Sequence, residues 1–72
     1  MNHEATYASG ERLAIIVHRL HITGRPWLLS DIRADLGVCP RTVQRYARLL
    51  VGARIVERCG VGGEPAIRIR RT

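Results

Sequence analysis

Glycine and proline break this chain at positions that leave few ways to fold it. Gly24 with Pro26, Gly37 with Pro40, Gly52, and the cluster Gly60, Gly62, Gly63 and Pro65 are turn or breaker residues. Before the first break, Leu13, Ile16, Val17 and Leu20 recur at i, i+3, i+4 and i+7, the stripe of an amphipathic helix. Ser9 is placed to cap that helix, with Glu11 in its first turn, where the helix dipole favours an anion. Gly24 ends it and Pro26 forbids its continuation. Residues 1–8 have no clear period and are expected to form a flexible arm.

The segments that follow are short. Arg25-Pro26-Trp27-Leu28-Leu29 reads as an extended link, because a proline pushes the residue before it out of helical geometry. Ser30 is the next candidate cap, with Asp31 just inside and Ile32 and Leu36 on the buried side. Gly37 stops this helix after roughly two turns, too few to hold without tertiary packing. Gly37-Val38-Cys39 is a tight turn. Pro40 suits the first position of a third helix, where its missing N–H is no loss. That helix runs to Val51, and Gly52 closes it. Ile55–Arg58 and Ala66–Arg70 read as strands, Ile67 and Ile69 alternating with Arg68 and Arg70. Cys59–Pro65 between them is a glycine-rich hairpin tip. The expectation is a mainly α domain with a small β-hairpin, an α+β fold of one domain over residues 9–72.

Size and composition agree with that reading. A chain of 72 residues has room for one core. Its 46% hydrophobic content is too high for a disordered basic tail. Phenylalanine is absent and Trp27, Tyr7 and Tyr46 are the only aromatics, so the core must be aliphatic. No apolar run approaches the roughly 20 residues of a membrane span, and no signal-peptide pattern opens the chain. A cytoplasmic, membrane-free protein with Cys39 and Cys59 as reduced thiols is therefore expected.

Charge is distributed unevenly. Residues 1–39 hold four arginines against four carboxylates, whereas residues 40–72 hold eight arginines against Glu57 and Glu64, which accounts for the whole net charge of +6. Arg41, Arg45 and Arg48 share one face of the third helix, and Val43, Ala47 and Leu50 share roughly the opposite one. A polyanion is the natural partner of such a surface, although a solvated face has the same appearance. All 12 basic residues are arginine. The planar guanidinium fork suits phosphate and guanine, and a GC-rich coding sequence would also produce this bias.

The residues Leu29-Ser30-Asp31-Ile32-Arg33-Ala34-Asp35-Leu36-Gly37-Val38-Cys39-Pro40-Arg41-Thr42-Val43-Gln44-Arg45, followed by Leu49-Leu50, Gly52, Ile55-Val56 and Gly62-Gly63, resemble a winged helix-turn-helix. The nearest likeness is to the N-terminal module of DeoR-like bacterial repressors, and it covers about residues 9–70. Where that family usually has a serine cap, this chain has Cys39, a weaker acceptor. Where it usually has an acidic residue after the second arginine, this chain has Tyr46. The resemblance implies a three-helix winged helix-turn-helix that binds double-stranded DNA, most simply as a small bacterial or phage transcriptional regulator associated with the nucleoid, a repressor in the family it resembles, with the sign of regulation left open. The third helix would read the major groove, and the wing over residues 58–68 the backbone or minor groove. Arg41, Thr42, Gln44 and Arg45 would face bases. Arg48 would meet phosphate, with Arg58 and Arg68 contacting from the wing. Arginine pairs bidentately with guanine, and glutamine with adenine.

Other readings stand beside this one. An architectural, excisionase-like factor, or a winged-helix module that binds an acidic protein, would carry the same pattern. Thr42 also suits a local packing or capping role. Trp27 suits the core better than a stacking platform, and Tyr46 shares the side of Val43. Ser30 and the amides after it suit a phosphate, against the charge of Asp31. His18 and His21 lack a third metal ligand nearby. Gly60-Val61-Gly62-Gly63 lacks the Lys-Ser/Thr ending of a nucleotide loop. Asp31 and Asp35 sit one turn apart, but Arg33 and the helix cap give them ordinary roles, and no nucleophile–histidine or metal arrangement stands beside them, so no enzyme or cofactor is expected. A chain of this size leaves no room for an effector domain, so no small-molecule effector is expected. Pairing into a homodimer on a palindrome is left open.

Overall fold

Leu13, Ile16, Val17 and Leu20 do lie on one stripe of a helix, but the helix is longer than its apolar period. In the computed structural model, which describes the backbone of residues 3–71 and the side chains of residues 10–71, helix α1 spans His3–Thr23. The start expected at Ser9 is thus corrected, and the arm expected over residues 1–8 is helical from His3 onward; Met1 and Asn2 lie outside the described residues. Residues 3–8 contain no glycine or proline. Extending an existing helix adds one hydrogen bond per residue fixed, so it needs no apolar face of its own. Gly10 costs about 1 kcal/mol relative to alanine, which is not enough to break the run.

The link after α1 is extended only as far as Leu28, one residue short of the expected end because Leu29 is already helical, and it also pairs. Trp27–Leu28 is a short strand, β1. Helix α2 follows at once over Leu29–Leu36, with Leu28 at its N-cap and no side-chain capping bond. Ser30 is therefore an exposed first-turn residue and not the cap. Burial of Leu29 decides this, since burying a leucine stabilises by about 1.5–3 kcal/mol and a capping bond by about 1 kcal/mol. Gly37 ends α2 in the left-handed region, at φ 64° and ψ 38°, and donates its N–H to the carbonyl of Arg33. A side chain is disfavoured there, which is why the glycine stops the helix.

Helix α3 spans Pro40–Gly52, with Cys39 at its N-cap. The glycine expected to close it is still helical. The left-handed position falls two residues later on Arg54, at φ 61°. Arg54 N–H donates to Val51 O at 3.0 Å and Ile55 N–H to Leu50 O at 3.0 Å, the paired bonds of a Schellman ending. An arginine there sits in a conformation that glycine adopts without penalty. Arg54→Gly is expected to stabilise the domain by about 1 kcal/mol, the αL penalty less the added chain entropy of glycine. A higher urea midpoint with an unchanged m-value would show it, and a lower midpoint would contradict it.

The wing is longer and tighter than the sequence suggests. Strands β2, Val56–Val61, and β3, Glu64–Ile69, pair antiparallel from Val56↔Ile69 to Val61↔Glu64. Only Gly62 and Gly63 remain in the turn, at φ 60° and 83°. Two successive positive φ values are the type I′ pattern, which matches the twist of a two-residue hairpin. Cys59, Gly60 and Pro65, read as part of the tip, belong to the ladder. Strand β1 joins the other edge of β3 through Trp27↔Ile67 and Leu28↔Ala66, giving the order β1-β3-β2. Pro65 lies just beyond the reach of β1, where β3 has one neighbour and a missing N–H is tolerated.

Helices and sheet enclose one aliphatic core, built on Ile16 and Leu20 of α1, Ile32 of α2, Val43 and Leu50 of α3, and Ile67 of β3. Tyr46 and Trp27 are buried in it as well. The Arg19 guanidinium lies 4.2 Å from the centroid of the Trp27 ring and donates to Asp35 Oδ2 at 3.0 Å, tying α1, β1 and α2 together at the surface. With both charges about half exposed, this tie contributes no more than about 1 kcal/mol. The order α1-β1-α2-α3-β2-β3, with three helices and a three-stranded antiparallel sheet, is an α+β domain with the layout of a winged helix-turn-helix.

Candidate nucleic-acid interface

Helix α3 is sharply two-sided. Val43, Tyr46, Ala47 and Leu50 are buried, and Arg41, Gln44, Arg45 and Arg48 are exposed. At about 100° per residue those four polar side chains leave the helix within an arc of about 100°. The helix contains no acidic residue. Among the described residues only Arg19 and Arg68 have carboxylate partners, so the guanidiniums of Arg41, Arg45 and Arg48 are uncompensated. Arg41 also lies in the first turn, where the helix dipole opposes a cation by about 0.3–1 kcal/mol. A residue that works against its own helix points to a role outside folding.

Thr42 stands apart from this face. It is half-buried, and its Oγ1 shares a 3.2 Å hydrogen bond with Cys39 Sγ, which places it in the local structure of the α3 N-terminus. Cys39 itself makes no side-chain capping bond to the helix, as expected for sulfur. The thiol is exposed, and the Thr42 hydroxyl holds its pKa below the ordinary thiol value. A lowered pKa means that the thiolate, the nucleophile, is populated at lower pH. The rate of iodoacetamide alkylation at Cys39 should therefore reach half its maximum at a lower pH than for an ordinary thiol. Thr42→Val should move that midpoint upward; an unmoved midpoint would show that the hydroxyl does not act on the sulfur.

Strand register separates the two wing arginines that the sequence treats alike. Arg58 lies opposite Ile67, which is buried, so it leaves the sheet on the side that packs against the helices. The hairpin extends beyond the core there, and Arg58 is exposed with no carboxylate partner among the described residues. Arg68 lies opposite Glu57 on the other face and donates its Nε–H to Glu57 Oε2 at 2.6 Å. It is thus the one sequence-selected arginine already engaged by a carboxylate. Glu64 and Val61 flank the turn, so the tip itself carries a negative charge and an exposed apolar side chain.

One residue goes unnoticed in the sequence. Arg33 of α2 is exposed and lines a shallow groove with Ser30 and Pro40 that also borders Gln44. It lies outside the basic half of the chain, so charge counting passes over it. Ser30 and Arg33 at i and i+3 share a face of α2, but no signal in the sequence turns that face towards α3.

No family model, curated protein or solved structure matches this chain. No helix among the described residues is long and apolar enough to cross a membrane.

Proposed function

We propose that the domain binds double-stranded DNA as a small sequence-specific transcriptional regulator, with α3 in the major groove and the β2–β3 hairpin on the neighbouring backbone or minor groove. The observation that carries this reading is the exposed arc of Arg41, Gln44, Arg45 and Arg48 on a helix whose other side is buried in the core. A helix of this diameter fits the major groove of B-form DNA, and its outward side chains then reach base edges. Arg33, Arg48 and Arg58 surround this face and are suited to phosphate, whereas Arg68 is spent on Glu57.

Salt dependence tests the reading. Affinity for duplex DNA, followed by fluorescence anisotropy, should fall with log salt by about −0.9 per phosphate neutralised, giving a slope of about −3 for those three arginines. Arg58→Ala should make the slope shallower by about 1, and Arg68→Ala should change it less. A flat salt response would exclude duplex binding and favour an acidic protein partner for the same surface.

A further inference from the structure

The hydrogen-bonding inventory of the α3 face narrows what it would read, on the basis that the domain binds duplex DNA. Arg41, Arg45 and Arg48 are donors only, and Gln44 carries the single side-chain acceptor in the arc. The helix has no carboxylate to accept from the cytosine amino group. The Thr42 hydroxyl is held by Cys39 Sγ. In the major groove guanine offers two acceptors, N7 and O6, while adenine offers an acceptor and a donor, which is the complement of a glutamine amide. With Arg48 left to phosphate, the base readers run from Arg41 to Arg45, a rise of about 6 Å, close to two base-pair steps and so about three adjacent base pairs. All four side chains leave α3 in one narrow arc, which directs them towards one wall of the groove.

We infer that α3 reads a short purine tract on one strand, with guanines taken by arginine and one adenine taken by Gln44. This reading fixes a class of target: the purines of an element of about three base pairs gather on the same strand. A pyrimidine in place of the adenine would give the Gln44 amide only half of its complement on that strand, since thymine offers an acceptor without a donor and cytosine a donor without an acceptor.

Two duplexes of equal composition separate the possibilities. In d(GA)10·d(TC)10 all purines share one strand, and in d(GT)10·d(AC)10 they alternate between strands. The full chain should bind the first about tenfold more tightly by anisotropy, the discrimination of one good bidentate pair. Replacing its guanines by 7-deazaguanine, which removes N7, should abolish the preference. Gln44→Glu exchanges the amide donor for an acceptor on an exposed position, and should lower affinity for the GA duplex without loss of thermal stability. Equal, salt-sensitive binding to both duplexes would overturn the purine-tract inference and leave duplex binding in place. A preference for the alternating duplex would overturn it as well. Absence of salt-sensitive binding to either would overturn duplex binding itself, and this inference with it.

Discussion

Exchanging Arg41 and Arg45 for alanine together is expected to lower affinity for a selected duplex by on the order of 100-fold, while the melting temperature stays level or rises slightly. The size follows from two bidentate base contacts, each worth about 1–3 kcal/mol, with a tenfold change for every 1.4 kcal/mol. The direction of the stability change follows from the fold. Both side chains are exposed and neither meets a carboxylate among the described residues. Alanine is the better helix former, and removing Arg41 takes a cation away from the positive end of α3. Binding and folding should therefore move independently. If the double variant binds as tightly as the parent and keeps the same sequence preference, α3 is not the reading element. If it melts far lower, the arginines hold the fold, and a loss of binding would say nothing about contact.

Ile32→Ala is expected to have the largest effect on stability. Ile32 is 1% exposed, part of the core cluster, and belongs to α2, which packs against α3 and the sheet. Its truncation should destabilise by about 2–5 kcal/mol, through lost transfer energy and the cavity left behind. A domain of this size has about 4–11 kcal/mol in total, by the usual figure per residue. Each lost kcal/mol lowers the melting temperature by about 4–8 °C, so a fall of at least about 10 °C is expected by differential scanning calorimetry. Ile22→Ala supplies the contrast: Ile22 is 66% exposed and its loss should change stability by no more than about 0.5 kcal/mol. Similar effects at the two positions would mean that the core lies elsewhere.

What could be read in advance follows the physics of each segment. The apolar stripes of α1 and α3, with Tyr46 on the second, are local periodicities, and Trp27 is placed in the core by the size of its ring; all hold in the structure. The α1 start is not legible, because residues 3–8 become helical by extension and carry no stripe to announce it. The third strand is hidden for another reason: Trp27–Leu28 is only two residues long and exists by pairing with Ile67 and Ala66, far away in sequence. Arg54 is misjudged because Gly52, two residues earlier, is the natural candidate for the left-handed position. The separation of Arg58 from Arg68 needs the register, which depends on the turn being Gly62-Gly63 alone. The exposed face of α3 is legible apart from Thr42, since a helix with one buried side leaves no choice about the other. Whether Thr42 joins that face is decided by a hydrogen bond to Cys39 that spacing alone does not reveal.

Trp27 carries a consequence of a different kind. It is the single indole of the chain, buried at the α1–β1–α2 junction with a guanidinium stacked on its ring. Its emission belongs to an element other than α3, so intrinsic fluorescence would follow denaturation of the core through one chromophore without requiring an added label. A ligand seated on α3 would leave that emission largely undisturbed unless the body of the domain rearranged. The molecule thus contains its own optical marker for telling docking apart from conformational change.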